Sequence, residues 1–288
     1  PALMLLGECV LVPGKPLANL RARWRFHALT ALLALGLFAL FVVPALFAEG
    51  SSAGFGRHER FGPLEYLRSQ PGVLLHYLRL SFWPHPLVFD YGWPVAHELA
   101  AWLPQTLALL ALLAATLAGL RRRSWIGYAL AAFFLVLAPT SSFVPIKDLA
   151  FEHRMVLPLA AVLTLVVVGV ARVLPSRPRA LAPLLVGVTA LALALTTVRR
   201  NRDYHTALAL WTTVVERAPD NPRGHRNRAA ALIDLERYDE ASQELARALA
   251  LEPRPNAFTQ RNLAAVAASR GQIATAIEHL RQAVALEE

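Results

Sequence analysis

The sequence predicts an all-α protein in two parts: a polytopic transmembrane helix bundle over residues 1–202 and a repeat-built α-solenoid over residues 203–288. Three observations lead there. The chain is 56% hydrophobic with 17% charged residues and a mean hydropathy of +0.41, too apolar for an ordinary soluble domain of this length. Its charge is uneven: residues 1–202 carry 19 basic and 8 acidic side chains, residues 203–288 carry 10 and 12. The second part also repeats itself at a spacing of 34 residues.

A spanning helix needs roughly 20 mostly apolar residues. Residues 1–12 read as the tail of one, and complete spans are expected near 28–48, 99–120, 125–139, 156–174 and 180–198. The chain opens at Pro1 inside a hydrophobic run, without a start Met, a charged leader or a cleavage site. It reads as a piece lacking its N-terminal part. The single Cys9 excludes an internal disulfide framework, and the histidines show no metal-ligand spacing, so no metal and no other cofactor is expected. No phosphate-binding glycine loop, nucleophile elbow or Cys/His pair is present. The basic residues stand beside apolar spans, which argues against nucleic acid as a partner.

The loops "GKPLANLRARWRFH", "RRRS" and "ARVLPSRPR" hold ten Lys or Arg and no acidic residue, against nine on the opposite side. Their density in such short loops assigns them to the cytoplasm. An integral, multi-pass protein follows, with everything after Val198 outside the cytoplasm. On that outer side the long connection from Glu49 to Glu98 contains "VLLHYLRLSFWPHPLVFDYGWP", with Trp83, Phe89, Asp90 and Tyr91 at its centre. Aromatic rings with a polar edge favour the headgroup level, so this reads as an interfacial helix followed by a turn on the bilayer.

The segment "KDLAFEHRM" places Lys147, Asp148, Glu152, His153 and Arg154 between two membrane-grade stretches. Ionisable groups there pair with one another or line a polar cavity. Two readings fit. The pairs Lys147–Asp148 and Glu152–Arg154 neutralise a solvated loop, or Arg154 offers its planar fork to a headgroup phosphate with Glu152 fixing the fork and Lys147 or His153 adding contacts.

In the second part "YHTALALWTTVVERAPDNP" returns as "YDEASQELARALALEPRP" and again as "IATAIEHLRQAVALEE". Tyr204 to Tyr238, Ala207 to Ala241 and Pro219 to Pro253 are each 34 residues apart. A small Ala lets two antiparallel helices approach, and Pro ends the second helix before the next repeat. This pattern resembles tetratricopeptide repeats, arrays that hold a protein or peptide. The first unit keeps only its second helix.

The three features arrive in order: "YLRLSFWPHPLVFDYGWP", then "SSFVPIKDLAFEHRMVLPLAAV", then the repeats. Together they resemble the transmembrane and tetratricopeptide-repeat protein family, whose eukaryotic members are O-mannosyltransferases of cadherins and whose membrane part belongs to the GT-C class. "PLVFDYGWP" is similar to that family's L-S-F-D-W region. "FVPIKDLAFEHRMVLPLA" is similar to its FP-x-x-x-x-x-E-R-x-x-YLP region, with His153 between Glu152 and Arg154 as in bacterial-looking members. The resemblance implies transfer of a sugar from a polyprenyl-phosphate donor in the membrane to a protein acceptor on the non-cytoplasmic side. It implies donor-phosphate contacts from Arg154, Glu152, Lys147 and His153. The class carries its catalytic carboxylate in the first outer loop, which this chain does not contain, so no residue is assigned as catalytic. A membrane-anchored repeat scaffold and a lipid-linked oligosaccharide ligase or polymerase remain as alternatives.

Overall fold

The computed structural model describes residues 1–47, 61–142, 145–146, 148–173, 181–252 and 254–287. Their regular structure is helical. The chain divides into two compact units, one of residues 1–85 and 93–175 and one of residues 86–92 and 176–288.

In the first unit, α1 (Ala2–Val10) and α2 (Pro16–Ala22) lead into α3 (Trp24–Leu37), which passes through a π-helical turn (Phe38–Val42) into α4 (Val43–Phe47). Then come α5 (Pro63–Phe82), α6 (Leu99–Arg121) and α7 (Trp125–Leu137), and a 3₁₀ turn (Glu152–Met155) that runs directly into α8 (Val156–Val173). Among the described residues three stretches are long and apolar enough to cross a membrane: Trp24–Val42, Leu99–Arg121 and Glu152–Arg172. Leu29, Leu32, Leu33, Leu40 and Phe41 are all more than 60% exposed, the pattern of a helix apolar on every side. The stretch expected as a span at 125–139 is a helix of only 13 residues, about 20 Å long.

The α6–α7 hairpin closes on glycine. A Cβ on Gly127 would lie 2.4 Å from the Gly119 carbonyl carbon, so only two glycines allow the backbones to meet. Ser124 caps α7 by accepting from the Ile126 amide at 3.2 Å.

α5 is amphipathic rather than spanning. The backbone amide of Gly62 donates to Glu65 at 2.8 Å, half of a capping box, and Pro63 stands at the first turn. Tyr66, Ser69, Gln70, Val73, Leu74, Tyr77 and Leu80 form its buried stripe at three- and four-residue spacing. Phe61, Tyr66 and Leu149 make a small core with Trp93, Val95 and Ile146 against it.

The second unit contains α9 (Leu181–Arg202), α10 (Ala207–Arg217), α11 (Pro222–Asp234), α12 (Tyr238–Leu251), α13 (Ala257–Ser269) and α14 (Ile273–Ala285). α11 packs on α12 and α13 on α14, while α10 and α13 also touch α11. Thr206, Asn221 and Asn256 cap α10, α11 and α13, and Pro222 follows its cap at the first helical position. Ala229, Leu232, Ala241, Leu245 and Val266 form the core. Ala241 is fully buried and Ala276 is 6% exposed, as small residues at a close helix crossing should be. Ala207, by contrast, stands exposed at the start of α10, where this unit has only its second helix.

Candidate functional site

The charged segment is gathered by α5. Arg154 lies on the 3₁₀ turn before α8. Its Nη1 donates to Leu149 O at 3.1 Å, Tyr66 Oη at 3.3 Å and Thr140 O at 3.4 Å, and its Nη2 donates to Asp148 O at 2.5 Å. Tyr66 passes its own proton to Thr140 O at 2.5 Å. Tyr77, three turns further along α5, donates to Phe151 O at 2.8 Å and accepts from the Phe151 amide at 2.7 Å. Gln70 between them reaches Leu149 O at 3.4 Å. α5 therefore holds Thr140, Leu149 and Phe151 through their main-chain groups, independently of their side chains.

The fork of Arg154 is thus directed by carbonyls and a phenol, the role that sequence reading assigned to Glu152. Among the described residues none of its hydrogen-bond acceptors is a carboxylate. Neutral dipoles orient a cation without cancelling its charge. Burial pushes the phenols of Tyr66 and Tyr77 up, against the pull of Arg154, so both stay protonated and able to donate. Glu152 also raises Tyr77. His153 is exposed and its ring lies 4.9 Å from that of Phe151. Lys147 lies outside the described residues.

A cavity of 520 Å³ opens at this point, with Thr140, Asp148, His153 and Arg154 on its polar side. It shares Val136 and Leu157 with an apolar groove of 590 Å³ between α1, α7 and α8. Alanines at 129, 132, 160 and 161 floor the groove, and it ends at Trp125 and Arg172. The guanidinium of Arg172 lies 4.8 Å from the Trp125 ring centre.

The other predicted cluster is divided. Trp83 ends α5 and remains 68% exposed. Phe89, Asp90 and Tyr91 instead belong to the second unit, and the expectation of a turn resting on the bilayer fails at Phe89 and Asp90. The Phe89 ring meets Trp211 edge-on at 5.6 Å and Tyr204 at 6.1 Å. Asp90 is 5% exposed, with one carboxylate oxygen 3.3 Å from Arg223 Nε and the other accepting from the Gly92 amide at 2.9 Å. Asn221 Nδ2 donates to Asp90 O at 3.0 Å and Arg217 Nη1 to Leu87 O at 2.6 Å. Asp90 and Arg223 are 133 positions apart, so no local pattern announces the pair.

Sequence reading missed Tyr66, Gln70 and Tyr77, although polar residues on one helical stripe of α5 were a usable signal. It also missed Trp211, Arg217, Asn221 and Arg223, which looked like ordinary repeat positions.

Residues 199–259 match the tetratricopeptide-repeat family. The chain carries tetratricopeptide repeats. Such repeats mediate protein–protein interaction, and the match covers α10–α12 and the first residues of α13. No curated protein and no solved structure matches the chain.

Proposed function

We propose that this chain is the donor-lipid and acceptor-binding part of a membrane glycosyltransferase, with a polyprenyl chain in the α1–α7–α8 groove and its phosphate at Arg154. The repeats hold the protein acceptor on the non-cytoplasmic side. The carrying observation is the continuity of an apolar groove with a cavity edged by an arginine whose hydrogen-bond acceptors, among the described residues, are carbonyls and a phenol. The twelve residues from Trp125 to Val136 span about 17 Å of helix, long enough for several isoprene units. A preorganised cation at the end of an apolar channel is what an anionic lipid headgroup needs. Sequence similarity of the "KDLAFEHRM" region to the sugar-transferase family supports the same reading.

Photoactivatable polyprenyl phosphate in nanodiscs tests it. It should cross-link α7 and α8. Ala132→Phe should abolish labelling by filling the groove, and Arg154→Lys should reduce binding about ten- to a hundredfold, because the charge stays but the fork is lost. For topology, Gln243→Cys in a Cys9-free chain should react with an impermeant thiol reagent in intact cells; reaction only after lysis would put the repeats in the cytoplasm.

A membrane-anchored repeat scaffold is the second reading. The observation favouring it is that Arg154 already has four protein acceptors and needs no ligand to be satisfied. Under this reading Ala132→Phe leaves partner binding intact and polyprenyl phosphate labels no residue above the level of bulk lipid.

A further inference from the structure

The irregular segment 86–92 lies on α10 and α11 in the way a peptide lies in a binding site. Two groups hold atoms that any sequence would offer: Arg217 takes the Leu87 carbonyl and Asn221 takes the Asp90 carbonyl. The remaining contacts read identity. Trp211 and Tyr204 present edges to an aromatic ring, and Arg223 faces the carboxylate of the very next residue. Gly92 adopts φ +54°, and a Cβ there would sit 2.6 Å from Asn221 Cγ, so the position accepts glycine alone. Val88 beneath the segment is 2% exposed. The receiving side is braced independently of the segment. Asp203 pairs with Arg217 at 3.6 Å and with Arg200 at 3.0 Å, and Arg200 lies over the Tyr204 ring at 5.1 Å. Asn221 caps α11 with its own Oδ1 while its Nδ2 serves the segment.

We propose that the α10–α11 face is a peptide-recognition site for a bent aromatic–aspartate–x–glycine segment, and that residues 86–92 of the same chain are its resident ligand. This stands apart from the sugar-transfer reading and does not depend on it. The main-chain contacts supply affinity and the aromatic, acidic and glycine positions supply specificity. The chain leaves the site at both ends of the segment, so the resident is present at an effective concentration of order millimolar. A free segment of the same pattern therefore enters only when the resident is disabled.

The test uses the full chain in nanodiscs and a fluorescein-labelled peptide of sequence PHPLVFDYGWP. Wild-type protein should show no saturable binding. The variant Phe89→Ala with Asp90→Ala should bind the peptide, and adding Arg223→Ala should weaken that binding by about tenfold or more. A peptide with Ala at the aspartate or glycine position should not bind. Equal binding to wild type and to the released variant would overturn the proposal, as would absence of binding by a released variant whose repeat helices keep wild-type hydrogen-exchange protection. Hydrogen exchange on the wild type supplies a second measurement that needs no released variant. The Gly92 amide, held by the Asp90 carboxylate that faces Arg223, should be protected independently of protein concentration, and Arg223→Ala should reduce that protection while α12–α14 keep theirs. An unprotected Gly92 amide in wild type, or protection that grows with concentration because a second copy supplies the segment, would refute it.

Discussion

Arg154 and Glu244 are both buried or partly buried charges held by three or more partners, yet they are held in opposite ways. Glu244 sits 5% exposed, with His225 Nδ1 at 2.6 Å and the guanidinium groups of Arg228 and Arg247 at 3.2 Å each. His225 in turn reaches Pro219 O through Nε2 at 2.8 Å. Charge there meets opposite charge and is used up in holding α11 to α12. Arg154 meets carbonyls and a phenol, neutral groups that fix its position without cancelling its charge. The repeats use opposite charges to join helices; the first unit uses neutral dipoles to place one cation.

The comparison can be broken most severely at Arg154. Arg154→Met should destabilise the first unit by about 2–3 kcal/mol, because Asp148 O and Tyr66 Oη lose a charged donor in a partly buried site while Thr140 O and Leu149 O keep Tyr66 and Gln70. Thermal unfolding in detergent should show this, and Arg154→Lys should recover part of it. A loss under about 1 kcal/mol would mean that water replaces the guanidinium and that the gathered carbonyls are incidental.

Glu244→Gln comes next, at about 2 kcal/mol. The amide keeps the volume but leaves His225, Arg228 and Arg247 facing one another. Hydrogen exchange should register faster opening of α11 and α12 with the first unit unchanged. No change would show that the cations merely cluster at a solvated rim.

The smallest expected effect is a pH dependence at His76 on α5, about 1 kcal/mol once screening of its half-exposed ring is allowed for. Burial, with Arg79 beside it, lowers His76 from 6.5 to about 4, so the folded protein holds this ring neutral against Trp93 at 4.9 Å. The unfolded chain binds the proton first. The stabilisation is therefore complete above about pH 6.5, declines as pH falls towards 4, and is flat below. Trp93 fluorescence, in a chain with the other tryptophans replaced by Phe, should titrate with a midpoint near 4; a midpoint near 6.5 would place the ring in water.

The helices were legible because their signals are local. Apolar runs, the Ala241 and Ala276 crossings, and Pro222 behind Asn221 each carry their own reason within a few residues. The partners of the charged segment were not, because Tyr66 and Tyr77 lie 74 or more positions from the carbonyls they bind and bind main-chain atoms that have no sequence identity. Arg154 was singled out for its fork; the groups that hold that fork could not be read because a carbonyl leaves no letter in the sequence. Asp90 was assigned by its aromatic neighbours to a bilayer surface, when the deciding residue, Arg223, stands on another helix in the repeats.

The glycine contact between α6 and α7 bears on how the protein is made. A 13-residue helix is a weak insertion signal by itself, since it falls short of the roughly 30 Å hydrocarbon layer. Joined backbone to backbone with the 23-residue α6 at Gly119 and Gly127, and closed by Arg121, Arg122 and Arg123 at the turn, α7 forms the second arm of a hairpin. In a bilayer such a pair would insert as one element, the short arm delivered by the long one.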